Sequence, residues 1–189
     1  MTEVSFAGYR TKVTADLEKL PFQKLLFFGT WCSQYLYTRY ASYLRDKLED
    51  KKGYKILTNA LSYAWESVDN PSAIDGTAAD RHFENLHLID VDYFDLDETS
   101  DMGVLKLMES LESTLAYAET QNFDSIISCI DYPLDVIDVI MTNELELDTN
   151  NPAKHIAHPL LQEEFDTQYK MIEYLKTHEV TSADKHLFR

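Results

Sequence analysis

Apolar positions recur every three or four residues through most of the chain, the spacing that gathers them on one face of an α-helix. In "PFQKLLFFGTWCSQYLYTRYASYLRDKLED", Phe22, Leu25, Gly29, Cys32, Leu36, Tyr40 and Tyr43 share a face, and Pro21 occupies the first turn, where a missing N–H costs nothing. This is expected to be the longest helix, ended by Lys51, Lys52 and Gly53. A second follows in "YKILTNALSYAWESV", with Ile56, Leu57, Ala60, Ala64 and Trp65 inward. "DNPSAIDGT" is a turn-rich break, after which a short helix is expected from Thr77 to about Leu88. "DMGVLKLMESLESTLAYAET", capped by Thr99 or Ser100, turns Leu105, Met108, Leu111 and Leu115 inward and Glu109, Glu112 and Glu119 outward.

From about Asn122 the same plan returns, with Ile126, Ile130, Leu134, Ile137 and Met141 inward. Asp124, Asp131, Asp135 and Asp138 fall within a sector of roughly 60°, a carboxylate stripe, and Pro133 must kink or split the helix. "LDTNNPAKHIAHP" links to a last helix carrying Leu161, Phe165, Tyr169, Ile172 and Leu175, and the residues after Glu179 are expected to fray. "LHLIDVDYF" alternates like a strand but has nothing to pair with. The expected fold is all-α: one domain over residues 1–189, with about six or seven helices packed as an irregular bundle around the aromatic-rich early ones.

Composition supports a folded domain and narrows its setting. A chain of 189 residues buries enough surface to need no disulfide or metal staple. The N-terminal "MTEVSFAGYRTKV" lacks the apolar run of a signal peptide, and the most apolar stretch, "SIISCIDYPLDVIDVIM", is interrupted by three aspartates. Cys32 and Cys129 sit among apolar neighbours and are read as buried thiols. A cytoplasmic protein that neither spans a membrane nor binds one is expected.

Four stretches, "LPFQKLLFFGTWCSQYLYTRY", "ILTNALSYAWESV", "DMGVLKLMESLESTLAYA" and "NPAKHIAHPLLQEEFDTQYKMIEYL", resemble in order and spacing the YjaG-like family of uncharacterised bacterial proteins, the domain-of-unknown-function family numbered 416. The likeness spans most of residues 17 to 178. It implies an all-helical cytoplasmic fold and brings no activity or catalytic residues with it. Pro133 and the aspartates around it depart from the family pattern.

The formal net charge is −16, and it is not evenly spread. Residues 84–148 hold 17 Asp and Glu against one basic residue, Lys106, while residues 1–83 hold 10 acidic and 11 basic side chains. Such a field repels nucleic acid, which is not an expected partner. Conventional catalysis finds no anchor: there is no nucleophile elbow and no Gly-rich phosphate loop. Asp-Val-Asp at 90–92 lacks the parallel sheet of an aspartyl-phosphate enzyme. A calcium loop starting at Asp95 has Ser100 where Gly is needed and Lys106 where Glu is needed. Glu84 with His87 is a single Glu-x-x-His unit, where di-iron bundles need two, and His155 with His158 lacks further zinc ligands. Neither a cofactor nor a metal is expected, and the protein is read as a non-enzyme.

Neither solubility nor a polar helix face requires the near-exclusion of lysine, since mixed signs would serve both and add stabilising pairs. A positively charged partner turns that repulsion into attraction. The expectation is an acidic binding protein, most specifically an immunity or antitoxin protein masking a basic toxin such as a nuclease. The candidate contact residues are Asp90, Asp92, Asp95, Asp97, Glu98, Asp101, Asp124, Asp131, Asp135 and Asp138. The alternative is a helical ligand- or divalent-metal-binding domain using the carboxylates from Asp90 to Asp101.

Overall fold

A computed structural model of the protein describes residues 6–145, 147 and 152–189. Among them six helices of eleven or more residues build the bundle: α1 (Phe6–Leu17), α2 (Phe22–Asp46), α3 (Lys51–Asp69), α4 (Gly76–Leu86), α5 (Thr99–Thr120) and, further on, α9 (Pro159–Thr177). Three shorter ones, α6 (Phe123–Ser128), α7 (Asp131–Val139) and α8 (Pro152–Ile156), lie between α5 and α9. The all-α architecture is as expected, and no strand occurs among the described residues.

α5 is the centre, packed against α2, α3, α4, α6 and α7. Small side chains let α2 and α5 approach closely: Ser33 Oγ lies 2.8 Å from Ser110 Oγ and 3.4 Å from Thr114 Oγ1. A Cβ added to Gly29 would stand 2.8 Å from Ile126 Cδ1 and 2.9 Å from Thr114 Oγ1, so glycine is what lets α5 and α6 close over α2. Around this seam Phe27, Phe28 and Trp31 are fully enclosed, and Trp65 meets Phe27 edge-on. The aromatic run of α2 is thus core, with Tyr35, Tyr37 and Tyr40 at its margin.

Four local expectations need correction. α1 was not anticipated: it buries only Tyr9, Val13 and Leu17, a narrow seam held by Tyr9 stacked on Phe165 of α9. α2 ends at Asp46, and Lys51 to Gly53 open α3 instead of closing α2. The cause is Asp50, whose carboxylate accepts from the Gly53 N–H at 2.7 Å and occupies the space any larger residue at 53 would need. The break near Pro133 falls earlier, at Cys129 and Ile130, so Pro133 stands in the first turn of α7, where its missing N–H is tolerated.

The segment after Glu179 does not fray. Val180 is buried, and Asp69 accepts from both the backbone N–H (2.7 Å) and hydroxyl (2.6 Å) of Ser182. The Trp31 indole donates to the Leu187 carbonyl at 3.0 Å, and the Arg189 guanidinium lies 3.9 Å from the ring centres of both Trp31 and Tyr35.

Candidate interaction surface

The acidic residues separate into two environments. On α7, Asp131, Asp135 and Asp138 share a face as predicted, but the first two each meet a cation of the same chain and the third meets a histidine. Arg10 of α1 reaches Asp131 at 2.9 Å, Lys106 of α5 reaches Asp135 at 3.1 Å, and His155 of α8 lies 2.9 Å from Asp138. Burial raises the Asp131 carboxyl above its ordinary pKa even though Arg10 opposes the shift. Lys106 is held above its ordinary pKa because hydrogen bonds to Glu109 and Asp135 outweigh the burial that would lower it. The stripe therefore joins three helices to α7, and only Asp138 remains exposed.

Asp101 is also withdrawn from the surface. It is 6 % exposed, and its Oδ2 accepts from the Asp95 N–H at 2.9 Å, fastening the preceding loop to the first turn of α5. Asp124 is exposed on α6, beyond the far end of α5. With 22 residues in α5 at about 1.5 Å per residue, that places it roughly 30 Å from the loop.

The loop itself keeps the other candidates together. Asp90, Asp92, Asp95, Asp97 and Glu98 are exposed, and none has an ion-pair partner among the described residues. The backbone is pinned by its own side chains: Asp90 accepts from Asp92 N–H at 3.1 Å and Asp95 from Asp97 N–H at 3.0 Å. Asn143 donates to the Asp97 carbonyl at 2.8 Å, and Thr99 donates to Glu144, tying the loop to the turn after α7. Carboxylates here also lie at the start of α5, where the helix dipole favours them. The Tyr93 hydroxyl has its pKa raised, first by burial and then by Asp50, Asp90 and Asp101. Asp50 at the start of α3 thus extends the same negative field.

Sequence reasoning missed the apolar half of this surface. Leu88, Tyr93 and Leu96 are 58 %, 51 % and 50 % exposed, interleaved with the carboxylates. The signal was present in "LHLIDVDYFDLD": its apolar positions alternate like a strand's in a chain whose other segments are helical, so no partner strand or sheet face covers all of them. The divalent-ion alternative fares worse, because no three His, Cys, Asp or Glu side chains converge to hold a metal among the described residues. His87 Nε2 lies 3.7 Å from Glu112 of α5.

No helix of the described residues is long and apolar enough to cross a membrane. No family model matches the chain, and no curated protein matches it. Among solved structures, the crystal structure of a DUF416 family protein from Shewanella baltica OS155 superposes with a TM-score of 0.67 at 17 % identity, covering 93 % of this chain and 90 % of that one. The resemblance read from the aromatic and leucine positions therefore holds at the level of architecture: this chain has the fold of a DUF416 family protein.

Proposed function

We propose that the protein is a stoichiometric, non-catalytic binding protein that engages a basic protein partner through the loop of residues 88–98. Its most specific form is an immunity or antitoxin protein masking the basic cleft of a toxin such as a nuclease. The observation that carries this reading is the pairing of exposed Leu88, Tyr93 and Leu96 with five carboxylates that no cation of the chain engages among the described residues, on a loop held in shape by hydrogen bonds. Apolar anchors supply affinity, tyrosine above all, and the surrounding charge steers the encounter. A loop already ordered loses little conformational freedom on binding. The carboxylates of α7 are part of the scaffold in this reading, which narrows the proposed contact set to Asp90, Asp92, Asp95, Asp97 and Glu98.

The test is to look for a basic domain encoded beside this gene and, where one is found, to measure its binding by calorimetry and by surface plasmon resonance. One-to-one binding is expected, with Asp92→Lys, Asp95→Lys and Asp97→Lys together slowing association about tenfold or more at low salt. Tyr93→Ala is expected to speed dissociation. Full binding by both variants rejects the loop as the contact surface, and a gene neighbourhood without a basic domain rejects the immunity form.

A further inference from the structure

A local concentration of positive charge lies away from the acidic loop. Between the middle of α2 and the 182–189 segment is a crevice of about 250 Å³ that Arg39, Lys185, His186 and Arg189 line together with Tyr35 and Thr38. No Asp or Glu side chain is among these lining residues, although Glu164 meets Arg189 at 2.6 Å. Arg39 stands 4.5 Å over the Tyr35 ring, and Arg189 is clamped between Tyr35 and Trp31.

Arg189 is the unusual member. Its side chain is only 8 % exposed, and Nη2 donates to Glu164 at 2.6 Å, yet Nε and Nη1 are buried with no acceptor. A buried N–H without a partner is costly, more so when charged, so such groups are normally satisfied. An aromatic clamp holds a guanidinium's plane but offers nothing to its N–H edge. Glu164 neutralises one edge of this guanidinium and leaves another bare beside two further cations.

We propose that this crevice is a binding site for a small oxyanion, the phosphate or carboxylate group of a small molecule. Arg39 and Lys185 attract and contact the anion at the mouth, and the bare edge of Arg189 supplies donors behind them. That edge is closed to solvent as it stands, so an oxygen engages it only as the Arg189 side chain shifts toward the mouth, and it then gains more than it would at the surface. The overall negative charge opposes this only weakly, since charges beyond about 8 Å are screened at physiological salt. An adjoining cavity of about 260 Å³ shares Tyr35, Arg39 and Arg189; its further walls are the apolar Ile137, Ile140 and Leu160 and the carboxylates Glu163 and Glu164, so it suits an uncharged or cationic remainder of the ligand and not the anionic group itself.

The two indoles make the test direct. The Trp31 ring lies 3.9 Å from the Arg189 guanidinium, and Trp65 Nε1 donates at 2.9 Å to Gln34, another lining residue, so each indole touches one wall of the crevice. Their ¹H–¹⁵N resonances are followed while inorganic phosphate, or separately citrate, is added at constant ionic strength against chloride. A saturable shift of the Trp31 signal is expected. Phosphate alone assigns a phosphoryl group, citrate alone a carboxylate, and both together a general oxyanion site. Arg39→Ala and Lys185→Ala, changed at positions outside the core, are each expected to weaken binding about tenfold with the thermal midpoint retained. A linear drift no greater than that with chloride overturns the proposal, as does undiminished affinity in both variants.

Discussion

Glu164 and Arg189 meet at 2.6 Å with 6 % and 8 % of their side chains exposed, an ion pair enclosed between α9, α2 and the 182–189 segment. Glu164 also accepts from Gln168 Nε2 at 2.8 Å, and Gln168 accepts from the Tyr9 hydroxyl at 2.8 Å, so the network runs on to α1. Burial and the Glu164 charge raise the Tyr9 pKa far above its ordinary value, which keeps the phenol neutral and donating. Replacing one member of such a pair strands the other. Glu164→Leu is expected to cost about 3–5 kcal/mol in urea unfolding, and Glu164→Gln, which keeps an acceptor, distinctly less.

Glycine at 103 is required by its neighbour. A Cβ there would stand 2.3 Å from Cγ of Tyr40, at the root of the ring and not at a movable tip. Gly103→Ala is expected to destabilise by about 1–3 kcal/mol even after the roughly 1 kcal/mol preference of helices for alanine. Gly76→Ala, where the nearest atom is Glu119 Cγ at 3.7 Å, serves as the control and changes unfolding little.

Both cysteines are expected to be inert in the native state. Burial pushes the Cys129 thiol up to about 12 and Cys32 well above its ordinary value, and reactivity belongs to the thiolate. Reaction with a disulfide reagent at neutral pH therefore follows the rate of unfolding, which stopped-flow measurement in increasing urea checks. Fast labelling without denaturant is the contrary result.

Glu112 sets a pH dependence. Burial raises its folded-state pKa, with His87 opposing and Glu109 adding to the shift. A carboxyl with a raised folded pKa binds its proton more tightly when folded, so its ionisation destabilises the fold as pH rises through the unfolded and then the folded value. Glu112→Gln is expected to raise the thermal midpoint at about pH 7, with a gain that shrinks toward about pH 3.5, where the unfolded group is also protonated. Melting curves at the two pH values decide it.

How much the sequence disclosed depended on the range of the interaction. The long helices α2, α3, α5 and α9 were legible because each repeats its apolar face over several turns. α1 was not, because three buried positions in twelve residues make a weak pattern that only Phe165, far along the chain, completes. The aspartate stripe was legible as a stripe. That Arg10 would close over Asp131 was not, since nothing near either residue signals the other. The same holds for Arg189, whose setting is made by Trp31, Tyr35 and Glu164 from two other helices. Of the ten candidate carboxylates, the five from Asp90 to Glu98 were the ones that chain position alone kept together. The exposure of the hydrophobic residues among them was not foreseen, because their strand-like alternation over so short a stretch does not say which of them the helices leave uncovered.

The central place of α5 has a further consequence for how the molecule comes apart. With five neighbours around it and Ser33, Ser110 and Thr114 bonded at its closest crossing, its amides are out of reach of water until those neighbours have departed. In deuterium exchange, α5 should form the last protected unit, opening only with the whole bundle, while α1, fastened chiefly along a single seam to α9, should open earlier and on its own.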